Sequence, residues 1–338
     1  MLIGLGVATY LLVRNFDSEA FATINWTWYS SLWIVIAFCM AAVRDLAYMY
    51  RIRVLVDGTL SWKSCFNVIF LWEFASALAP PILGGGFAFA IFILNAERVK
   101  MGKSIAVVLF TSFLDGLFFA IMVPLIFFIE GKHNLFSGLS AETLTQLTFG
   151  KELLVAFWII YFVVLGYKIL VAYALFINAR AVKWLMIKVF SLPLLRRWKA
   201  GAKEAGDELV IASQELKGQK LSYWLKSLTA TFISWTARFL LINCLIMAFS
   251  PVVVSNFLLY SRQVVMGILN IATPTPGGSG LAELAFQNFL GEFIPHGLSA
   301  SLALLWRMIS YYPYLFIGAF LLPRWIRNEF GKKAEKVE

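Results

Sequence analysis

The sequence predicts an all-α polytopic membrane protein built as an inverted repeat, in which each half runs helix, helix, re-entrant hairpin, helix. Three observations predict this fold: the hydropathy of the chain, two apolar segments broken by proline and glycine, and an alternating distribution of basic residues. The mean hydropathy is +0.78 and 60% of the 338 residues are hydrophobic. This composition places most of the chain in lipid.

Two apolar segments are interrupted by prolines and glycines at corresponding places in the two halves. These residues are Pro80, Pro81, Gly84, Gly85 and Gly86 in the first segment, and Pro274, Pro276, Gly277, Gly278 and Gly280 in the second. Proline removes an amide and glycine costs backbone entropy, so a helix does not continue through either cluster. In lipid, such a break survives only when it is buried in protein or lines a wet cavity. We therefore predict re-entrant hairpins at 62–96 and 252–291, with irregular turns between ordinary spans as the alternative.

The basic residues alternate along the chain. Lys and Arg number four in 44–63, three in 97–103, ten in 178–226 and five in 322–338, against one, two and one in 14–27, 130–151 and 250–263. Because cytoplasmic segments of membrane proteins are enriched in Lys and Arg, the first group is predicted to be cytoplasmic and the second external. This placement accounts for the net charge of +10 without nucleic acid as a partner. It also predicts a multi-pass protein of a bacterial-type plasma (inner) membrane, with both termini in the cytoplasm.

The first repeat is predicted at residues 1–129. Its elements, in order, are a span at 1–13, a span at 26–43, an amphipathic elbow on the cytoplasmic surface at 48–61, the first hairpin at 62–96 and a span at 104–129. Trp26, Trp28 and Trp33 mark the outer end of the second span, since Trp concentrates at the membrane–water interface. The first span begins so abruptly that we expect further residues to precede Met1.

The second repeat is predicted at residues 152–322, followed by a basic tail at 323–338. Its elements are a span at 152–177, a cytoplasmic insertion at 178–225, a span at 226–249, the second hairpin at 252–291 and a span at 298–322. Within the insertion, apolar residues at three- and four-residue spacing from Ala205 to Leu216 predict a short surface helix. A hairpin makes no net crossing, so each half crosses the membrane three times. Because three is odd, the second half must be inverted relative to the first, and the two glycine tips are expected to lie near the midplane.

Six ionisable residues fall inside predicted membrane segments: Glu73, Asp115, Lys168, Arg238, Glu283 and Arg307. A charge at the centre of a membrane helix costs roughly 2.5–3.5 kcal/mol, so each is expected to face the protein interior and to have a partner. Three are acidic and three are basic, which allows internal pairing. Purely structural ion pairs are one interpretation. The other is that some of these residues line a wet cavity and contact a charged headgroup.

A substrate site is predicted where these charges meet the interrupted segments. A half-helix that begins after Gly86 or Gly280 would direct its amides and its positive dipole at an anion such as phosphate. Arg307, and after it Arg238, could add a bidentate guanidinium contact. The candidate substrate-binding residues are Arg44, Glu73, Pro80, Gly84, Gly85, Gly86, Asp115, Arg238, Pro274, Pro276, Gly277, Gly278, Gly280, Glu283 and Arg307. For Arg44, at the cytoplasmic edge, snorkelling toward the interface is an equal alternative.

Signatures of enzymes and metal sites are absent from the sequence. It has no nucleotide loop of the Gly-x-x-x-x-Gly-Lys type and no nucleophile elbow. Cys39, Cys65 and Cys244 lie in apolar stretches without metal-ligand spacing, and the two histidines lie in predicted loops. We therefore predict no catalytic residues, no metal and no cofactor.

The run from Pro274 to Glu283 resembles the C-terminal signature of the lysylphosphatidylglycerol synthase transmembrane-region family, which includes the flippase part of bacterial multiple peptide resistance factors. The family's N-terminal hairpin is similar to Pro80, Gly84-Gly85-Gly86 and the stretch 95–102. Arg44 and Asp115 match polar positions of the family, and the resemblance covers nearly the whole chain. In fuller synthases a soluble aminoacyl-transferase domain follows. Here the chain ends soon after Leu322, so the resemblance does not imply aminoacyl transfer.

The resemblance implies translocation of a phospholipid or another lipid-linked headgroup between leaflets, without an ATPase. The partners it implies are membrane lipids: anionic or aminoacylated phospholipid, or polyprenyl-linked lipid. Two other interpretations stay open. One is a membrane-embedded transferase that acts on polyprenyl- or phospholipid-linked substrates, and the other is a non-transporting partner that recruits a separate synthase through segment 178–226. Neither the headgroup nor assembly into a homo-oligomer follows from the sequence.

Overall fold

A computed structural model describes residues 26–80, 86–136, 150–189, 191, 199–250, 255–295 and 298–328. The predicted span at 1–13, the tip residues Gly84 and Gly85, and residues 329–338 of the basic tail lie outside this part of the chain. The described residues are helical and include no strand. The predicted all-α class is therefore confirmed.

The described residues form twelve α-helices and two short 3-10 helices. The α-helices are α1 Trp28–Leu55, α2 Trp62–Leu78, α3 Phe87–Ala96, α4 Met101–Phe136, α5 Gly150–Phe176, α6 Ala179–Val189, α7 Lys199–Leu216, α8 Leu221–Phe249, α9 Asn256–Ile271, α10 Leu281–Leu290, α11 Ser299–Ser310 and α12 Tyr312–Ile326. The 3-10 helices are Pro276–Gly278 and Gly291–Phe293. Four helices, α1, α4, α5 and α8, are long and apolar enough to cross a membrane.

Helix α1 is continuous, whereas the sequence predicts a span at 26–43 and a separate surface elbow at 48–61. Beyond the predicted end of the span, Ile52 and Leu55 are buried, and so is Arg51, which is 3% exposed. The expectation of an elbow was wrong because Arg51 is paired inside the protein instead of being solvated at the surface. Packing therefore keeps the second half of α1 helical and interior.

Both predicted hairpins are helix–break–helix units, formed by α2 with α3 and by α9 with α10. Ser61 and Ser255 cap the entering helices, since each hydroxyl accepts a hydrogen bond from the amide three residues later. The exit helices α3 and α10 contain ten residues each, a length of about 15 Å. A helix of that length does not cross a hydrocarbon core that is about 30 Å thick.

The predicted span at 298–322 consists of two helices, α11 and α12, with Tyr311 between them. Pro313 is the second residue of α12. Because proline has no amide and its ring clashes with the carbonyl four residues earlier, one unbroken helix is unfavourable here. Tyr311 leaves the helical conformation, with φ −130° and ψ −56°. The expectation of an unbroken span was wrong, although the sequence contains the reason.

Two hydrophobic clusters share helix α4. One joins the second half of α4 to α5, α8, α9, α10 and α11, and it includes the fully buried Phe118 and Phe286. The other joins the first half of α4 to α1, α2 and α3, and it includes the fully buried Leu71 and Ile93. Asp115 lies on α4 at the boundary between the two clusters. The fold therefore places this carboxylate deep in the protein, where two apolar cores meet.

Candidate functional site

A cavity of about 1000 Å³ lies between α4, α5, α8, α9 and α10, and we call it the central cavity. Most of its lining is apolar. Its side chains with polar groups are Ser112, Asp115, Tyr167, Lys168, Trp235, Arg238, Gln263, Asn270, Thr273 and Asn288. The charged ones, Asp115, Lys168 and Arg238, come from three different helices. The central cavity is therefore an apolar chamber that contains a small number of charged groups, as ligand pockets typically are.

A buried ion pair forms the wall of the central cavity at Asp115. Arg51 Nη1 lies 2.6 Å from Asp115 Oδ1 and also donates a hydrogen bond to Thr231 Oγ1 at 3.0 Å. Trp235 Nε1 donates to the same carboxylate oxygen at 3.0 Å. Asp115 is 28% exposed and Arg51 is 3% exposed. The carboxylate thus faces the cavity, and the arginine lies behind it and compensates its charge.

Arg238 of α8 forms a looser pair with Glu73 of α2. Arg238 Nη2 lies 3.4 Å from Glu73 Oε1, and both side chains are about one-third exposed. The guanidinium carbon lies 5.0 Å from the centre of the Trp235 ring and 5.9 Å from that of Tyr48, which are cation–π distances. Within the described residues, the buried Arg238 Nε has no hydrogen-bond partner. The guanidinium therefore retains hydrogen-bond donors that the protein does not use.

Lys168 extends from α5 to α4 along the cavity wall. Its ammonium donates hydrogen bonds to the Ser112 carbonyl at 2.8 Å and to the Ser112 hydroxyl at 2.6 Å. The stem of the lysine crosses Gly116, where an added Cβ would lie 2.5 Å from Lys168 Cγ. Glycine at position 116 therefore provides the space in which this lysine lies.

The two interrupted segments contact each other. The Gly277 amide donates a hydrogen bond to the Ala79 carbonyl at 3.3 Å, and the Tyr311 hydroxyl donates to the Ala77 carbonyl at 3.0 Å. Both acceptors lie at the end of α2, where carbonyls lack partners within the helix. We call the contact formed by Ala77, Ala79, Gly277 and Tyr311 the tip joint. The tip joint therefore connects the end of α2 to the second tip.

Glu283 and Arg307 hold the second tip together. Arg307 Nε donates to Glu283 Oε1 at 2.7 Å, and Arg307 Nη2 donates to the Gly277 carbonyl at 3.1 Å. The other oxygen of Glu283 accepts a hydrogen bond from the Gly280 amide at 2.7 Å. The carboxylate of Glu283 therefore already occupies the Gly280 amide at the start of α10.

The glycines of the second tip are required by its backbone. Gly277, Gly278 and Gly280 have φ values of 56°, 70° and 87°, a region that residues with a side chain rarely adopt. A Cβ on Gly277 would also lie 2.3 Å from the ring of Tyr311. Turn geometry and the close approach at the tip joint therefore explain these glycines without a ligand.

The fifteen predicted substrate-binding residues lie in different parts of the structure. Asp115 and Arg238 line the central cavity, and Glu73 lies beside it through its pair with Arg238. The second tip contains Pro274, Pro276, Gly277, Gly278, Gly280, Glu283 and Arg307, and none of them lines the cavity; its chain neighbours Thr273, Leu281 and Ala282 do. At the first tip, Pro80 and Gly86 flank the break, and Gly84 and Gly85 lie outside the described residues. The second tip therefore borders the cavity without forming its wall.

Arg44 lies away from the central cavity. Its Nη2 is 3.0 Å from Asp45 Oδ1, and its guanidinium carbon is 4.9 Å from the centre of the Tyr314 ring. The Tyr314 hydroxyl donates to both oxygens of Asp45, at 2.7 and 2.8 Å. Since Arg44 is 1% exposed, its charge is held inside the protein and does not extend toward the membrane interface.

Five of the six charged residues predicted inside membrane segments form pairs of opposite sign, and Lys168 is the exception. Internal pairing, expected from the sequence, is observed for Glu73 with Arg238 and for Glu283 with Arg307. Asp115 instead pairs with Arg51, which is not among the six ionisable residues predicted inside membrane segments. In the part of the chain that the structure describes, no group of three or more His, Cys, Asp or Glu could hold a metal ion. The site can therefore act through charge and hydrogen bonding.

The sequence does not predict that two arginines, Arg51 and Arg262, are buried in the interior. Arg51 was assigned to a surface elbow, yet it lies seven residues after Arg44, a spacing that places both on one face of a helix. Arg262 was counted in an external segment, yet it is 1% exposed, lies 2.6 Å from Glu292 Oε1 and donates to the Phe289 carbonyl at 2.8 Å. Helical spacing could have identified Arg51; no local signal identifies the position of Arg262.

The chain is similar to a known protein family and to a relative over most of its length. The lysylphosphatidylglycerol synthase TM region family matches residues 1–318. A UPF0104 membrane protein of Archaeoglobus fulgidus is 25% identical over 311 residues, which cover 87% of this chain and 85% of that protein. No solved structure matches the chain. The family match includes both interrupted segments, the central cavity and the tip joint, and the chain therefore belongs to the lysylphosphatidylglycerol synthase TM region family.

Proposed function

We propose that this protein carries a phospholipid or another lipid-linked headgroup from one leaflet to the other through the central cavity, without an ATPase. The observation that carries the proposal is a cavity of about 1000 Å³ with Asp115, Lys168 and Arg238 on an otherwise apolar lining. A headgroup does not cross hydrocarbon readily, because each unsatisfied polar group there costs several kcal/mol. Charged side chains in the cavity would replace part of the headgroup's hydration.

The lining of the cavity also supports a lateral route for acyl chains. Ile159 and Val163 on α5 line the cavity and are 59% and 67% exposed. Leu281 and Leu284 on α10 also line it and are 42% and 49% exposed. We infer that the cavity opens to the lipid between these exposed apolar stretches of α5 and α10. A headgroup could enter the cavity there while its acyl chains remain in the bilayer.

The pattern of helix contacts supports an inverted repeat. If α2 and α3 correspond to α9 and α10, and α4 corresponds to α11 with α12, each contact in one half should have a counterpart in the other. The observed pairs of contacts are α4–α9 with α12–α2, α1–α2 with α8–α9, and α3–α4 with α10–α11. The most extensive helix pair is α1 with α8, which correspond to each other. A pseudo-twofold axis beside α1 and α8 would produce this pattern.

Re-entrant hairpins in an inverted repeat would place the tip joint near the bilayer midplane. The exit helices α3 and α10 extend about 15 Å, which is half of a hydrocarbon core of about 30 Å. The alternation of basic segments assigns the two hairpins to opposite faces of the membrane and both termini to the cytoplasm of a bacterial-type plasma membrane. In this arrangement the central cavity would lie next to the midplane, where inverted-repeat transporters bind their substrates.

Reconstituted vesicles test the transport proposal. Purified protein is placed in liposomes that contain phosphatidylglycerol with a fluorescent headgroup, and a membrane-impermeant reductant then bleaches the outer leaflet. We expect the protein to make the inner-leaflet lipid accessible, and Asp115→Asn and Arg238→Gln to slow this exchange. Lys183→Met, in the α6–α7 region away from the cavity, is the matched control and should have no effect. Rates equal to those of empty vesicles for every lipid tried would refute transport.

The same preparations test the two rival functions. Turnover of a labelled polyprenyl- or phospholipid-linked donor by the purified protein would identify a membrane transferase. Lipid exchange by the isolated protein would exclude a role limited to recruiting a synthase. We infer transport and not catalysis because both carboxylates of the site, Asp115 and Glu73, are engaged in ion pairs with arginines.

A further inference from the structure

The positive charge of Lys168 has no carboxylate of its own: Asp115 acts on it electrostatically, but Asp115 is already paired with Arg51. Its ammonium has three donors, and its hydrogen bonds within the described residues both go to Ser112, through the carbonyl and the hydroxyl. No carboxylate of the described residues lies within 4.0 Å of the ammonium nitrogen. Its other close neighbour is the Tyr167 ring, 5.1 Å from Nζ. One donor of the ammonium therefore remains for a ligand in the cavity.

The other charges at the central cavity are compensated. Asp115 is paired with Arg51, and Glu73 is paired with Arg238. Three cations and two carboxylates thus leave one positive charge, on Lys168. The pairs Arg44–Asp45, Arg262–Glu292 and Arg307–Glu283 are each neutral and do not change this sum. An uncompensated charge against a largely apolar wall is unfavourable, and an anion bound beside it would remove that cost.

The position of Lys168 depends on a specific feature of the neighbouring helix. Gly116 lies under its stem, with the position of an added Cβ at 2.5 to 2.6 Å from three consecutive side-chain carbons of the lysine. Ser112, one turn earlier on the same helix, holds the ammonium. By contrast, Gly166 on α5 has no heavy atom within 4 Å of such a Cβ. The glycine at 116 and the serine at 112 therefore orient the lysine toward the cavity.

We propose that Lys168 is the phosphate-binding residue of the central cavity, and that the cavity takes net-anionic phosphodiester lipids in preference to aminoacylated ones. This inference rests on the proposed transport function and names the substrate class of the same site. One phosphodiester carries one negative charge and neutralises the surplus positive charge of the cavity. A lysylated headgroup carries a net positive charge and would raise that surplus. The apolar lining around Lys168 favours a lipid over free inorganic phosphate.

Lipid binding to the purified protein tests the inference by native mass spectrometry. The probes are dioleoyl phosphatidylglycerol, its lysylated form, and dioleoylglycerol, which has the same acyl chains and no phosphate. We expect phosphatidylglycerol to bind about tenfold more tightly than either, since hydrogen bonds to charged groups are the strong ones. Lys168→Met should abolish the preference, and Lys168→Arg should retain most of it. Equal binding of the three lipids, or an unchanged preference in Lys168→Met, would overturn the inference.

A second variant moves the lysine without removing its charge. Gly116→Ala places a methyl group where the stem of Lys168 lies, so it should reduce phosphatidylglycerol binding as much as Lys168→Met does. Gly166→Ala and Lys183→Met are the controls and should bind lipid as the unmodified protein does. Competition by inorganic phosphate is measured in parallel; if phosphate displaces the lipid and binds equally tightly without it, the site is one for free phosphate and the lipid assignment is wrong.

The outcome distinguishes this inference from the proposed function. Lipid exchange in vesicles at equal rates for phosphatidylglycerol and its lysylated form, unchanged in Lys168→Met, would overturn the role of Lys168 and leave transport intact. A preference for phosphatidylglycerol that depends on Lys168, without any lipid exchange in vesicles, would support the binding site and refute transport.

Discussion

Loss of the ion pair between Glu283 and Arg307 is expected to destabilise the second tip far more than loss of an exposed pair. Arg307 is 7% exposed and Glu283 is 15% exposed, and their atoms lie 2.7 Å apart. The Glu283 carboxylate also accepts the Gly280 amide, and Arg307 also donates to the Gly277 carbonyl. Two backbone groups of the tip therefore depend on this one pair.

The burial of these two side chains sets the expected change in the free energy of unfolding. Removal of one partner of a buried ion pair leaves an uncompensated charge and typically costs about 3–5 kcal/mol. We expect Glu283→Leu to cost an amount in this range, because it leaves the more buried Arg307 without its carboxylate partner. Arg307→Met should cost less, because Glu283 keeps the Gly280 amide as a donor. The double variant, which removes both charges, should be more stable than the sum of the two single changes predicts.

Unfolding in detergent by increasing SDS, followed by tryptophan fluorescence, measures these changes. The matched control is Lys183 with Asp207 on α6 and α7, whose side chains are 29% and 49% exposed. Exposed ion pairs contribute about 0.2–1 kcal/mol to stability. A double-mutant cycle on Lys183 and Asp207 should therefore give a coupling energy below about 1 kcal/mol. A coupling energy for Glu283 and Arg307 no larger than that of the control pair would refute the reasoning.

Two other substitutions test contacts of α2 with the C-terminal helices. Gly318→Ala should destabilise the protein by about 1–3 kcal/mol through overpacking, because the added Cβ would lie 2.4 Å from the ring of Phe74. The same SDS unfolding measures this change. Gly166→Ala is the control, because the space around its added Cβ is open. Tyr311→Phe should cost about 1–3 kcal/mol, because it leaves the Ala77 carbonyl of the tip joint without its hydrogen bond. Hydrogen exchange of the second tip should accelerate in Tyr311→Phe, and unchanged exchange would contradict a role for the tip joint.

Local chemistry explains why much of the architecture could be predicted. Proline and glycine act on the backbone within a few residues, so the breaks before Gly86 and at Gly277 are visible without knowledge of any partner. The same rule applied to Pro313 would have predicted the break at Tyr311. Charge places the predicted end of the span in α1 too early, because Arg44 and Arg51 are buried inside the protein and do not lie at the membrane surface.

The candidate site could be predicted only in part. Asp115 and Arg238 were identified because a charge in an apolar segment needs a partner or a cavity, and both line the central cavity. Glu283 and Arg307 were identified by the same reasoning, yet the structure uses them to close the tip. Lys168 was noted as a membrane charge but was left out of the site, because nothing in the sequence distinguishes a lysine with a carboxylate partner from one without.

The sequence by itself determined the helical class, the two interrupted segments and the presence of charges within apolar helices, since hydropathy and backbone preferences act over short stretches of chain. Only the tertiary structure decided which charges pair and which face the cavity. Arg51 and Asp115 are 64 residues apart, and Glu73 and Arg238 are 165 residues apart. Distances of a few ångströms between such residues depend on how the helices pack, and the surplus charge on Lys168 exists only after that packing has paired the other charges at the central cavity.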